Sequence, residues 1–536
     1  MPGPLASEEI HQLEALAQAV EDLRRRVAAL EGGSAAFAPK PEVSVSFEPA
    51  LPSFSGGALS ALGRLLLAIA GAYLLRAFSE AGILPPLAGA LIGVLYAFGW
   101  LAAALRVAPS SKLLAAVHGV AAAAIAAPLL WEATARFHTL PAWAAASVLT
   151  LLVALGQFIA WRRDEPALAA ITALAGSATA IALIPATLDP LPFAAAVMAS
   201  AALVEGCALC DRALAWRWIS ALAADACAGI LIFLLTRPQG LPEGYAAISR
   251  PVVLLLFASP GVIYVKSTAI RTALRNQPIT GFEVVQVAAA LALAVSGILA
   301  VAPAAAPFVG AWITALGAAC YYGALARRPI PRNFHAFSAA GLIFTLAGTS
   351  LSLPPPILAS LWAAVAIAAL LFARSNTVAL HGVAFLALAA LRSGLLLSSL
   401  LALANAPALR PSPAALLCLI VIALCYPLAL RLRVNAAAPL AAAALLLLVS
   451  TGLAAHLLPV TLVTVLICAV ALALAWFGTL RPELTGLLYA WMIAGGAKIL
   501  MVDFRQGTPA SLAASFLVYG ATLIALQRVL KRAPQQ

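Results

Sequence analysis

The sequence predicts an all-α polytopic membrane protein with about eighteen transmembrane helices, preceded by a short N-terminal cytoplasmic helix. Hydrophobic residues make up 64% of the 536 residues and charged residues only 10%, whereas roughly a quarter of a soluble domain is charged. Apolar runs of about 20 residues, the length that crosses the hydrocarbon as a helix, recur from Gly57 almost to the C-terminus. Because strands with open edges leave backbone groups unpaired in lipid, we expect these runs to be helices.

The N-terminal residues 1–31 have a different pattern. Apolar residues repeat every seven positions in two series, which are Leu13, Val20 and Val27, and Leu16, Leu23 and Leu30. This pattern predicts a coiled coil over residues 7–31, which would make the protein a homo-oligomer, with a parallel dimer favoured. A lone amphipathic helix lying on the membrane is the alternative. Residues 32–56 are rich in Pro and Gly and are predicted to form an extended linker.

Residues 57–532 are predicted to form the transmembrane bundle, and residues 533–536 a short cytoplasmic tail. The eighth and fourteenth spans are short enough to be tilted or re-entrant, so sixteen spans is the alternative count. The predicted spans are 57–78, 83–105, 113–131, 141–161, 167–187, 191–210, 214–235, 251–266, 283–302, 306–326, 334–353, 356–373, 377–400, 414–430, 436–455, 459–480, 484–502 and 509–530.

The distribution of Lys and Arg predicts the orientation. The even-numbered loops between these spans hold sixteen Lys and Arg residues and the odd-numbered loops hold six. Since cytoplasmic loops are enriched in these residues, both termini are expected in the cytoplasm, together with the loops at 162–166, 327–333 and 431–435. The same rule accounts for the net charge of +12. The basic residues form no tract that would suggest nucleic-acid binding.

No motif predicts a cofactor, a metal or a catalytic centre. Cys207 and Cys210 form a single CxxC at the end of the sixth span, but a structural zinc site needs four ligands and no second pair accompanies them. The GGAK sequence that ends at Lys498 lacks the spacing of a phosphate-binding loop. Gly495 and Gly496 are instead expected to permit close helix contact, as are Gly89 and Gly93.

The candidate functional residues are ionisable groups within spans or at the last turn. A Lys or Asp at the centre of a membrane helix costs roughly 2.5 to 3.5 kcal/mol, so such residues pair, reach a helix end or serve a function. Glu205 and Lys498 lie near span ends and could extend to the interface. Asp225 and Arg392 lie closer to the middle of their spans. Each is expected to meet an opposite charge or a polar cavity, most simply by pairing with the other. Their role can be structural pairing or a polar pathway, and the sequence leaves both interpretations open. The full set is Glu205, Asp225, Arg392 and Lys498 within spans, and Asp503 and Arg505 at the last turn.

The terminal hairpin GGAKILMVDFRQGTPASLAASFLVYGATLIAL and the first hairpin GRLLLAIAGAYLLRAFSEAGILPPLAGALIGVLYAFGW resemble those of a large bacterial family of predicted membrane proteins, domain of unknown function 2339. The resemblance implies an N-terminal coiled coil, a Pro-rich linker and many short-looped helices in the bacterial inner membrane. It places Lys498 and Asp503 in the terminal motif of that family and carries over no other functional residue.

Two classes of function fit these observations. The favoured one is transport or binding of a small or amphiphilic solute within the lipid bilayer, with the substrate itself undefined. The alternative is a membrane scaffold that clusters itself or envelope partners through residues 7–31. A membrane enzyme ranks third, because no catalytic motif is present.

Overall fold

The computed structural model describes Val20 and residues 56–107, 111–210, 216–326, 330–372, 375–406, 412–430, 437–481 and 484–532. The chain divides into two compact units, Met1–Leu59 and Ser60–Gln536. In the first unit, Val20 is helical and exposed, and a helix begins at Gly56. The predicted coiled coil, the predicted linker up to residue 55 and the tail at 533–536 otherwise lie outside the described residues.

The all-α prediction is confirmed, since the described residues contain nineteen helices and no strand. The first nine helices are α1 (Gly56–Glu80), α2 (Pro86–Ala103), α3 (Lys112–Trp131), α4 (Ala142–Arg163), α5 (Pro166–Thr187), α6 (Pro190–Leu209), α7 (Arg217–Leu235), α8 (Arg250–Ala269) and α9 (Gly281–Val301). The remaining ten are α10 (Ala306–Ala326), α11 (Pro331–Ser352), α12 (Pro355–Leu371), α13 (Asn376–Arg392), α14 (Leu395–Leu403), α15 (Ala414–Ala429), α16 (Ala437–Ala455), α17 (Val460–Leu480), α18 (Leu484–Lys498) and α19 (Pro509–Arg532).

The predicted count of eighteen spans is not confirmed by the part of the chain that the structure describes. Among the described residues, fourteen helices are long and apolar enough, or fifteen if α13 and α14 form one span. These two helices occupy the predicted thirteenth span but are bent by 73° relative to each other. Helices α12 and α15 are apolar but shorter. The predicted eighth span is not short, because its helix continues as far as Leu274.

Three helices end in a π-helical turn. These turns are Glu132–Arg136 after α3, Ile270–Leu274 after α8 and Ile499–Asp503 after α18. A π turn bonds each N–H to the carbonyl five residues earlier and is frequent at functional sites. Each turn carries a side chain that forms a buried or half-buried ion pair. These side chains are Glu132, Arg271 and Asp503.

Small residues fill the helix interfaces. One core cluster is drawn largely from α3 to α8, and eleven of its alanines, including Ala145, Ala194 and Ala224, are buried. Other clusters join α12 to α16, and α16 to α19. Lipid tails are as apolar as leucine, so membrane helices associate through close packing, which small side chains allow.

The α10–α11 hairpin shows the closest packing of this kind. A Cβ atom added to Gly348 would lie 2.5 Å from the Gly310 carbonyl oxygen and 2.5 Å from the Thr314 nitrogen. The two backbones therefore touch directly. The glycine contacts predicted from sequence are also present, since a Cβ on Gly93 would lie 2.7 Å from Leu129 and one on Gly495 would lie 2.9 Å from Ile467.

Candidate functional site

Four buried charged side chains form a network where α6 and α8 end and α7 and α9 begin. Arg217 binds Glu205 through two hydrogen bonds, of 3.0 Å from Nε and 2.6 Å from Nη2. Its Nη1 lies 3.5 Å from Glu283 Oε1, which is also 2.5 Å from Arg271 Nη1. Ser267 donates a further hydrogen bond of 2.6 Å to Glu205. Two arginines and two glutamates thus balance each other, which is what burial of charge requires.

Local structure holds Glu283 in this position. Glu283 and Thr280 form a capping box at the start of α9, with the Glu283 N–H donating to Thr280 Oγ1 and the Thr280 N–H donating to Glu283 Oε2. The preceding loop is fixed by Asn333 of α11, which accepts from the Ile279 N–H and donates to the Gln277 carbonyl. One oxygen of Glu283 therefore caps a helix while the other binds the arginines.

Sequence reasoning identified Glu205 but counted Arg217 and Arg271 among the loop cations. Both are buried, Arg217 in the first turn of α7 and Arg271 in the π turn after α8. Glu205 does not extend to the interface, since it is 2% exposed. The spacing of these residues in the sequence does indicate their pairing. Glu205 and Arg217 lie twelve positions apart on either side of a turn, and so do Arg271 and Glu283.

A second buried cluster joins the last three helices. The Lys498 ammonium lies 2.5 Å from Asp503 Oδ1 and donates to the Val460 carbonyl at 2.7 Å and to Thr464 Oγ1 at 2.8 Å. The hydroxyls of Thr464 and Ser515 both donate to Asp503 Oδ2, at 2.8 and 2.9 Å. Two hydrogen bonds and the ion pair fix Lys498 inside the bundle, so it does not extend to the interface.

The π turn explains why this pair forms. The sequence analysis placed Asp503 in a polar turn, but the helix continues through Ile499–Asp503 and on to Gln506. Residues five apart on an α-helix point about 140° away from each other. The i to i+5 hydrogen bonds of the π turn bring Lys498 and Asp503 to the same side.

The predicted pairing of Asp225 with Arg392 is wrong. The Asp225 carboxylate accepts a hydrogen bond of 3.1 Å from Gln286 of α9. Arg392 is exposed and is the last residue of α13, at the bend before α14. The break in the helix removes Arg392 from the middle of a span. Arg505 is also exposed, and it lies outside the Lys498 cluster.

A cleft of about 370 Å³ lies between α1, α2 and α3. This volume falls at the lower end of the range typical of small-molecule sites. Its sides are mostly apolar, and its exposed opening includes Tyr73, which is 64% exposed. Besides charged residues, the lining includes Ile69, Ala72, Leu75, Pro86, Gly89, Gly93, Ala124, Ile125, Pro128, Leu129 and Phe137.

Two features give the cleft polar groups. Pro128 lies inside α3 and has no N–H, so the Ala124 carbonyl four residues earlier lacks its helical donor. At one end of the cleft, Arg76 bridges two carboxylates, with Nε 2.9 Å from Glu80 and Nη1 2.8 Å from Glu132. Arg136 lies 4.0 Å from Glu132 but does not line the cleft. The lining therefore combines apolar walls with one excess negative charge at one end.

The number of long apolar helices and the buried, balanced charges between them define a multi-pass integral membrane protein. Comparison with protein-family models, with curated proteins and with solved structures gave no match. In the described part of the chain, no group of three or more His, Cys, Asp and Glu side chains is placed to hold a metal ion.

Proposed function

We propose that this protein binds an amphiphilic molecule within the membrane, in the cleft between α1, α2 and α3. The observation that carries the proposal is the lining of the cleft, in which apolar walls end at a group of charged side chains. A hydrocarbon chain would occupy the apolar part and a polar head group would lie beside Arg76, Glu80 and Glu132. Because these three carry one excess negative charge, a cationic head group is favoured over an anionic one.

The preformed shape of the cleft supports this function. Gly89 and Gly93 bring α2 close to Ser79 of α1 and to Leu129 of α3, so the walls are held by direct helix contacts. A preformed site loses little conformational freedom on binding. The Ala124 carbonyl, which lacks its helical donor, can serve as a hydrogen-bond acceptor along the wall.

The test measures binding of two fluorescent single-chain amphiphiles with the same tail, one with an ammonium head and one with a carboxylate head. The reconstituted full-length protein should bind the ammonium form more tightly. Ala124→Phe should fill the cleft and lower affinity for the ammonium form at least tenfold, which corresponds to about 1.4 kcal/mol.

Ala102→Phe is the matched control, because Ala102 is exposed on α2 and does not line the cleft. Glu132→Gln should reduce the preference for the ammonium head while leaving the carboxylate form less affected. Equal affinity for both heads, or equal effects of the two phenylalanine substitutions, would overturn the proposal.

We also propose that both termini face the cytoplasm of a bacterial inner membrane, on the evidence of the sixteen-to-six bias in Lys and Arg. In this orientation the cleft opens near the outer ends of α1, α2 and α3. A cysteine-free protein carrying Glu243→Cys should react with an impermeant thiol reagent in intact cells, whereas Arg332→Cys should not. Labelling of Arg332→Cys from outside would reverse the orientation.

Self-association through residues 7–31 stays a prediction, as does the resemblance to domain of unknown function 2339. Val20→Asp with Leu23→Asp should reduce crosslinking between copies, since both positions lie on the apolar seam. Gln18→Asp, at an outer position of the preceding heptad, is the control. Unchanged crosslinking in the double variant would leave the amphipathic helix as the remaining interpretation and would weaken the scaffold alternative.

A further inference from the structure

Asp225 is a carboxyl group near the middle of a membrane helix. It is the ninth residue of α7, which spans Arg217–Leu235, and so lies about 12 Å along the axis from the start of the helix. The side chain is half-buried, and Gln286 of α9 donates a hydrogen bond to it. Within the described part of the chain, no Lys, Arg or His forms an ion pair with Asp225.

This environment differs from that of the acids in the two buried charged clusters. Glu205, Glu283 and Asp503 each lie within 3.0 Å of a cationic nitrogen. The partner of Asp225 is a neutral amide. An ionised carboxylate at the membrane centre is costly, and an unpaired one relieves that cost by taking up a proton.

A buried hydroxyl lies along α7 between Asp225 and the charged network at the start of that helix. Tyr264 of α8 is 2% exposed, and its hydroxyl makes no hydrogen bond with the described residues. Tyr264 packs with Ala221 of α7, which lies one turn from Arg217 on one side and one turn from Asp225 on the other. Ser267, one turn further along α8, donates to Glu205. An orphaned buried hydroxyl at such a point can pass a proton in either direction.

We propose that Asp225 is a proton-binding site that is protonated at neutral pH and exchanges its proton with the network end of α7 through Tyr264. Gln286 from α9 contacts it directly. The titratable and charged groups towards the network are Tyr264 from α8, Glu205 from α6 and Arg217, two turns earlier on its own helix. In this exchange the Asp225 carboxylate forms an O–H bond as the Tyr264 O–H bond breaks, and the Tyr264 oxygen regains a proton from a hydronium ion at the network end of α7, which is left as water. This site is independent of the cleft between α1, α2 and α3.

The experiment is infrared spectroscopy of the full-length protein in lipid vesicles. At neutral pH the spectrum should contain the carbonyl band of a protonated carboxylic acid, and the band should shift in D₂O. Asp225→Asn should remove this band, whereas Glu243→Gln, in an exposed loop, should leave it unchanged. Absence of the band at neutral pH, or its persistence in Asp225→Asn, would overturn the proposal.

Two further variants test the site without removing the carboxyl group. Gln286→Leu removes the donor that stabilises the ionised form, so the titration midpoint of the band should move to higher pH. Tyr264→Phe should keep the midpoint but slow hydrogen–deuterium exchange of the band at least tenfold. An unchanged midpoint in Gln286→Leu or unchanged exchange in Tyr264→Phe would contradict the assignment. A band that appears only when Na⁺ is removed would replace the proton with a metal cation and likewise overturn the proposal.

Discussion

Breaking the Lys498–Asp503 pair should destabilise the last three helices strongly. In Asp503→Asn the ammonium keeps two neutral acceptors, Val460 and Thr464, but loses the carboxylate that lies 2.5 Å away. Both side chains are at most 7% exposed, so water cannot replace the lost partner. Removing one member of a buried ion pair leaves an uncompensated charge and costs roughly 3 to 5 kcal/mol. We expect a loss of this size in the free energy of unfolding.

A graded series of variants checks the origin of this loss. Ser515→Ala removes one neutral donor to Asp503 and should cost less, about 1.5 to 3 kcal/mol, the range for hydrogen bonds to charged groups. Lys498→Met combined with Asp503→Leu removes both charges and should lose much less than the sum of the single changes.

The measurement is the free energy of unfolding of the full-length protein in mixed micelles with increasing SDS. Arg505→Ala is the control, because Arg505 is exposed and outside the cluster; it should change stability by no more than about 0.5 kcal/mol. An Asp503→Asn loss as small as that of the control, or strictly additive losses in the double variant, would refute the buried pair.

Three other perturbations have defined outcomes in the same unfolding assay. Gly348→Ala places a methyl group 2.5 Å from backbone atoms of α10 and should lower the free energy of unfolding by about 1 to 3 kcal/mol. The control is Gly206→Ala, whose methyl group meets nothing within 4 Å and should be neutral or slightly stabilising. Equal effects of the two substitutions would contradict the close packing. Arg217→Gln leaves two buried glutamates short of a cation and should cost roughly 3 to 5 kcal/mol, while the same change at exposed Arg250 should have little effect. Burial raises the pKa of the Asp189 carboxyl, between α5 and α6, above its ordinary value, and a hydrogen bond from the Leu191 backbone lowers it by less. The folded state then holds more protons than the unfolded state above that ordinary pKa, so the free energy of unfolding should fall as pH rises from about 4. Asp189→Asn should reduce this dependence of stability on pH. An unchanged dependence in the variant would rule out Asp189 as its source.

Most of the helices could be predicted because their apolar runs are long enough to cross a bilayer and are bounded by charged or proline-containing turns. The bend between α13 and α14 could not. Its local signal, Arg392, Ser393 and Gly394, looks like a polar interruption within one apolar run. Gly394 adopts a φ of 82°, which is open to glycine at little cost and turns the chain at this point.

The sequence pattern identifies the ionisable residues within the spans, but it does not identify all of their partners. Span boundaries place Glu205 and Lys498 near helix ends, where an extended side chain can reach water. The structure instead gives each an ion-pair partner inside the protein. Pairing depends on which helices are neighbours and on the π turns after α8 and α18, neither of which apolar patterning records. The cleft between α1, α2 and α3 was likewise beyond prediction, because it depends on how three helices diverge.

The short helix α14 also constrains the order of biosynthesis. With nine residues it is about 13.5 Å long, less than half the thickness of the hydrocarbon layer, so it cannot settle in the bilayer as a span by itself. Its Ser399 packs directly on Gly452 of α16, which emerges from the ribosome only about fifty residues later. At 5 to 20 residues per second this interval lasts roughly 3 to 10 seconds. During that time Ser399 of α14 lacks the helix that packs on it in the folded protein.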